Sequence, residues 1–123
     1  MPRILLVEDN PDNLKLFRAL LALKGHEVVA LPTGEGLMDT IQQSRPDLVL
    51  MDIQLPGRDG YALLEEIRAA PAPFRDLRVI ALTAHARGED EHRALAAGFN
   101  GYITKTIEIA TFPDLVNQAL AQV

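Results

Sequence analysis

Five short apolar runs punctuate the chain: Ile4 to Val7, Val28 to Leu31, Leu48 to Met51, Val79 to Leu82, and Tyr102-Ile103. Four of them are continuous rather than alternating, which is the pattern of parallel strands covered on both faces. Stretches of helical period fill the gaps. Between Asp12 and Lys24, Leu16, Phe17, Leu20, Leu21 and Leu23 form a wide stripe, opened by Pro11 in the first turn and closed by Gly25. A second helix carries Leu37, Met38 and Ile41 and stops before Pro46. A third carries Leu63, Leu64 and Ile67 after Asp59-Gly60 and ends ahead of Pro71-Ala72-Pro73, which reads as loop. The fourth is short and alanine-rich, from about Glu89 to Ala97, with Leu95 as its main large anchor and Gly98 as its stop. The fifth begins near Thr111, where Thr111 and Asp114 have capping-box spacing and Pro113 sits in the first turn; it is expected to bury Phe112, Leu115, Val116, Ala119 and Leu120.

Strand and helix alternate five times with short connections, and right-handed crossovers then give a parallel sheet covered by helices on both faces. The expected architecture is a flavodoxin-like (βα)5 doubly wound α/β fold, with five parallel strands in the order 2-1-3-4-5. Ligands of such sheets bind beyond the carboxyl ends of the strands, near the switch in strand order between strands 1 and 3. A length of 123 residues suits one domain spanning 1–123, and no linker or composition shift marks a second.

Composition narrows the function. The apolar fraction of 48% and charged fraction of 24% match globular usage and exclude a disordered chain. A net charge of −5 argues against a nucleic-acid partner, because a phosphate footprint needs clustered Lys and Arg. No apolar run approaches the roughly 18 residues of a membrane span, and Met1-Pro2-Arg3-Ile4 leads straight into a strand rather than a signal peptide. A cytoplasmic location is expected, with no membrane partner. With no cysteine, disulfide, thiolate and zinc-thiolate chemistry are all excluded.

Candidate chemistry gathers on one rim: Glu8-Asp9 follows strand 1, Asp52 strand 3, Thr83 strand 4 and Lys105 strand 5. Taken alone, Asp9 beside Asn10-Pro11 reads equally well as a helix cap. Asp52 has no helix start to cap for several residues. Three carboxylates crowded at the rim repel unless a cation or protons offset them, and hard oxygen ligands favour Mg²⁺. Lys105 can pair with Asp52 or with a phosphoryl oxygen, and Thr83 adds a hydroxyl donor. Together they form a site suited to in-line phosphoryl transfer onto an aspartate.

The ordered set Glu8-Asp9, Met51-Asp52-Ile53-Gln54-Leu55-Pro56-Gly57-Arg58-Asp59-Gly60, Thr83-Ala84, Tyr102 and Lys105 resembles, over the whole chain, the receiver domain of response regulators in two-component signalling. The resemblance implies that Asp52 takes a phosphoryl group from a phosphohistidine on a sensor kinase or histidine phosphotransfer protein. It implies Mg²⁺ held by Asp9, Asp52 and the backbone carbonyl of Gln54, with Glu8 acting through a metal-bound water. Thr83 and Lys105 would contact phosphoryl oxygens, and Tyr102 would be the switch aromatic. Gln54 and His85 match positions that tune the lifetime of the phosphoryl group. The sequence departs from the family where Lys105 precedes Thr106 rather than proline, which bears on the placement of Lys105. His26 and His92 lack the paired spacing of a metal site. Gly57 and Gly60 read as turn residues around Pro56.

The chain stops soon after its fifth helix, so the expected output is a protein contact by a stand-alone receiver or a receiver cut from a longer chain. Such a domain is not an enzyme beyond its own phosphorylation and dephosphorylation. Apolar residues Leu14, Leu16, Phe17, Leu20, Leu21 and Leu23 cover about half of helix 1, wider than a core stripe. Leu14, with Asn10 and Pro11, is therefore read either as core or as the contact for the phosphodonor. Helix 4, strand 5 and helix 5 are the expected output face, for a downstream target or a homodimer. Two other classes remain open: an aspartyl-phosphate hydrolase of haloacid-dehalogenase type, which usually has an acid where Gln54 stands, and a flavodoxin, whose phosphate Glu8-Asp9 would repel.

Overall fold

The computed structural model describes residues 2–53, 60–83, 88–104, 116–118 and 120. Chain order is β1 (Arg3–Val7), α1 (Pro11–Leu23), β2 (Glu27–Leu31), α2 (Leu37–Ser44), β3 (Leu48–Asp52), α3 (Gly60–Ala69), a single 3-10 turn (Phe74–Asp76), β4 (Val79–Thr83), α4 (Gly88–Ala97) and β5 (Gly101–Thr104). All strand pairs are parallel, and the sheet order is β2-β1-β3-β4-β5. The fold is the expected flavodoxin-like one. Residues 116–118 and 120 are helical, where the fifth helix is expected; its start near Thr111 lies outside the described residues.

Strand parity divides the core in two. Leu5, Val7, Val49, Met51, Val79 and Ala81 face α2, α3 and α4, where Leu37, Ile41, Leu63, Leu64, Ile67 and Ala94 meet them. Ile4, Leu6, Leu48, Leu50, Ile80 and Leu82 face Phe17 and Leu21 of α1 and Val116 of the last helix. Burial on both faces is why these strands read as unbroken apolar runs.

Several side chains sit elsewhere than expected. On α1 only Phe17 and Leu21 are buried, with Leu14 and Leu20 half-buried beside them; Leu16 is 40% and Leu23 82% exposed. At roughly 100° per residue, Leu16 and Leu23 lie well over 90° around the helix from the Phe17–Leu21 line, so they never reach the sheet. Among the α4 residues whose burial is described, the buried one is Ala94, and Leu95 is 46% exposed. This helix is held to α3 instead by Arg93, whose guanidinium lies 4.4 Å from the ring centroid of Tyr61, itself edge-on to Phe99 at 5.6 Å. His26 is buried, and its Nε2 lies 2.9 Å from Asn117 Oδ1, joining the α1–β2 turn to the last helix.

A 3-10 turn follows the Pro71–Pro73 segment read as loop, and Arg68 of α3 fastens it. The Arg68 guanidinium donates to the carbonyls of Arg75 (2.9 Å), Leu77 (2.6 Å) and Gly98 (2.8 Å) and to Asn100 Oδ1 (2.9 Å). Burial pushes this guanidinium below its ordinary value, and the nearby Asp76 charge opposes the shift.

Candidate functional site

Glu8 and Asp9 emerge from the carboxyl end of β1, and Asp52 closes β3 in the adjacent position of the sheet. Residue Val7 pairs with Met51, which sets the two strand ends level. One carboxylate oxygen from each of Glu8, Asp9 and Asp52 lies within 4.8 Å of the other two. Glu8 is wholly buried and Asp52 is 1% exposed, while Asp9 is open to solvent. Two anions in the interior and a third at the mouth repel one another, and a divalent cation offsets that repulsion better than any neutral group. The donors are hard carboxylate oxygens, so the set fits Mg²⁺.

Asp9 is not the helix cap. Asn10 takes that role, its side chain accepting from the backbone N–H groups of Asp12 (2.9 Å) and Asn13 (3.2 Å), and Pro11 follows at the first helical position. The cap leaves Asp9 outside the helix start and fixes where α1 leaves the rim. Leu14 sits on the next turn, half-buried against the α1-side core.

Strand parity places Glu8 on the α1 side, in line with Ile4 and Leu6. There the Asn13 side chain donates from Nδ2 to Glu8 Oε1 at 3.1 Å. Sequence reasoning missed this residue, although the Asn10-Pro11 start was a usable signal. It makes Asn13 the third helical residue, whose side chain leans back toward the strand end.

Gly60 begins α3 directly against the site backbone, its N–H donating to the Ile53 carbonyl at 3.1 Å. A Cβ there would meet Ile53 Cα at 2.6 Å and the Asp52 carbonyl oxygen at 2.9 Å. The glycine therefore serves close approach, which holds α3 beside Asp52. Thr83 ends β4 paired with Thr104 of β5, one step beyond Leu82, the partner of Asp52. Tyr102 pairs with Ala81 and is half-buried against the α2–α4 side of the core. Gln54, His85 and Lys105 lie outside the described residues, as do Gly57 and Thr106.

A buried carboxylate at the centre of a parallel α/β sheet, with two more acids at the switch in strand order, stands where open α/β sheets bind their ligands. Comparison with known proteins narrows this. Residues 4–117 match the response regulator receiver domain, so the chain belongs to that family and is a receiver domain of two-component signalling. The sensor protein GacS of Pseudomonas syringae is 45% identical over 108 residues, which are 86% of this chain but 12% of GacS. The polar-differentiation response regulator DivK of Brucella anthropi is 37% identical, covering 98% of each chain. Among solved structures, the receiver domain of the Pseudomonas aeruginosa sensor histidine kinase PA1611, described with a magnesium ion coordinated in its active-site cleft, superposes with a TM-score of 0.85 at 36% identity over 98% of both chains. The family match decides against both the haloacid-dehalogenase and flavodoxin alternatives. No described helix is long and apolar enough to cross a membrane.

Proposed function

We propose that this receiver is a phosphoacceptor switch in which Asp52 takes a phosphoryl group from a phosphohistidine of a sensor kinase or histidine phosphotransfer protein. The observation that carries this reading is the buried Asp52 carboxylate grouped with Glu8 and Asp9 at the switch in strand order. The Asp52 carboxylate oxygen attacks phosphorus in line. The new P–O bond forms as the P–N bond breaks, and the departing imidazole keeps the electron pair and takes up a proton.

Asp9, Asp52 and the Gln54 backbone carbonyl would hold Mg²⁺ in this reading, with Glu8 supporting the ion from behind them through water. When bound, the ion neutralises charge on the acids and on the phosphoryl oxygens. The magnesium described for the PA1611 receiver supports the assignment. Thr83 and Lys105 contact phosphoryl oxygens, and Gln54 and His85 flank the group and set its lifetime. Asn10, Pro11 and Leu14 contact the phosphodonor. Thr83, drawn toward the phosphoryl group, makes room for the Tyr102 ring to turn. α4 follows, since among its described residues the small Ala94 is the buried one and Arg93 meets Tyr61 at the surface. The altered α4–β5–fifth-helix face then binds a downstream protein or a second copy of the domain, in the cytoplasm.

Acetyl phosphate with Mg²⁺ should load one phosphoryl group per chain, read by intact mass, and chelation of the metal should prevent it. Rapid turnover of phosphate esters without any accumulating adduct would count against a switch. Beryllofluoride with Mg²⁺ should shift amide resonances from Glu89 to Tyr102; shifts confined to the acid rim would remove α4 from the output.

A further inference from the structure

Glu8 is wholly buried and has one more side-chain torsion than Asp9 or Asp52, so more must be fixed before its carboxylate points one way. A carboxylate that supports a metal site must offer a fixed edge to it, and each unfixed torsion costs affinity. Among the described residues Asn13 supplies a fixing contact, its Nδ2 lying 3.1 Å from Glu8 Oε1. Because the partner is a carboxylate, only the NH₂ side of the carboxamide can face it.

The position follows from α1. Asn10 caps the helix, Pro11 opens it, and Asn13 stands third, half-buried, with its own N–H already bonded to Asn10 Oδ1. Side chains of a helix tilt toward its N-terminus, so Asn13 is aimed at the end of β1 from which the chain has just come. A glutamate at this third position would complete a capping box but would set a fourth negative charge beside Glu8. A lysine or arginine would bring a full positive charge in competition with the cation. The neutral amide orients the carboxylate and does neither.

We infer that Asn13 is a positioning residue of the acid site: by holding Oε1 of Glu8, it sets the direction of the Glu8 carboxylate toward Asp9 and Asp52 and thereby the affinity for a divalent cation. This rests on the reading of the three acids as a Mg²⁺ site.

A double-mutant cycle on Mg²⁺ affinity, read by NMR titration, tests it. Asn13→Ala should weaken Mg²⁺ binding roughly three- to tenfold. Asn13→Leu, which keeps bulk without the donor, should behave alike. In a Glu8→Ala background, either substitution should cause no further loss. Melting temperatures taken without metal separate a folding defect, which would not depend on Glu8. Unchanged affinity in Asn13→Ala overturns the inference, and so does an equal loss with and without Glu8. If the unsubstituted protein binds no Mg²⁺ at all, the metal reading itself falls and takes the inference with it, a result distinct from the other two.

Discussion

Asp52→Asn should abolish phosphoryl uptake, reducing labelling by acetyl phosphate and Mg²⁺ by at least roughly a thousandfold, as loss of a nucleophile does. The carboxamide is close to the carboxylate in size, so the 1% exposed position keeps its packing. What it loses is the anionic oxygen that attacks phosphorus. It also removes one of three mutually repelling charges, which offsets the loss of the carboxylate's own favourable contacts, so without metal the variant should stay folded and melt close to the parent protein. These two outcomes together distinguish lost chemistry from lost structure. Intact mass and thermal denaturation measure them on the same samples. A stable phosphoryl adduct on the variant would place the acceptor on another residue.

Much of this site could be read from sequence because strand ends are legible. Runs such as Leu48-Val49-Leu50-Met51 are apolar on both faces, so the run marks the strand and the first polar residue after it marks the rim. Asp52, Glu8-Asp9 and Thr83 were located that way, and the structure brings the three acids together. The same continuity hides parity: nothing in the run says that Leu50 faces α1 while Met51 faces α3, since both are large and apolar.

Helix faces were harder where leucines were abundant. α1 carries enough of them that Leu16 and Leu23 read as core until the angular position relative to Phe17 and Leu21 is counted. α4 misled by size, because close approach to the sheet favours the small Ala94 over Leu95. The 3-10 turn at Phe74–Asp76 follows two prolines and is too short for any periodic signal. Arg68 and His26 were opaque for another reason: their partners are backbone carbonyls and an Asn117 side chain, which fold geometry alone brings near.

Arg68→Ala should cost about 2–4 kcal/mol of stability, a large loss for one residue outside the acid site. The guanidinium reaches three separate pieces of chain: the 3-10 turn through Arg75, the start of β4 through Leu77, and the α4–β5 connection through Gly98 and Asn100. Asn100 passes the constraint on, accepting from the Val79 N–H at 2.9 Å through Oδ1 while its own N–H donates to the Val79 carbonyl at 2.7 Å. Deleting the side chain takes a charged donor from the part-buried carbonyls of Leu77 and Gly98, and it loosens Asn100 from Arg68 while leaving its bonds to Val79. Arg68→Lys should recover less than half the loss, because one ammonium cannot span acceptors that the planar fork reaches together. Arginine keeps its proton throughout the working pH range even when burial lowers its affinity for it, so the loss should be the same at pH 6 and pH 8. The contacts lie at the amino ends of β4 and β5, the opposite edge of the sheet from Asp52. Mg²⁺ affinity of the folded variant should therefore be unchanged. Urea denaturation with a parallel Mg²⁺ titration measures both. An unaltered urea midpoint would mean that water replaces the guanidinium at no cost, and a weakened metal site would mean that the two edges of the sheet are coupled.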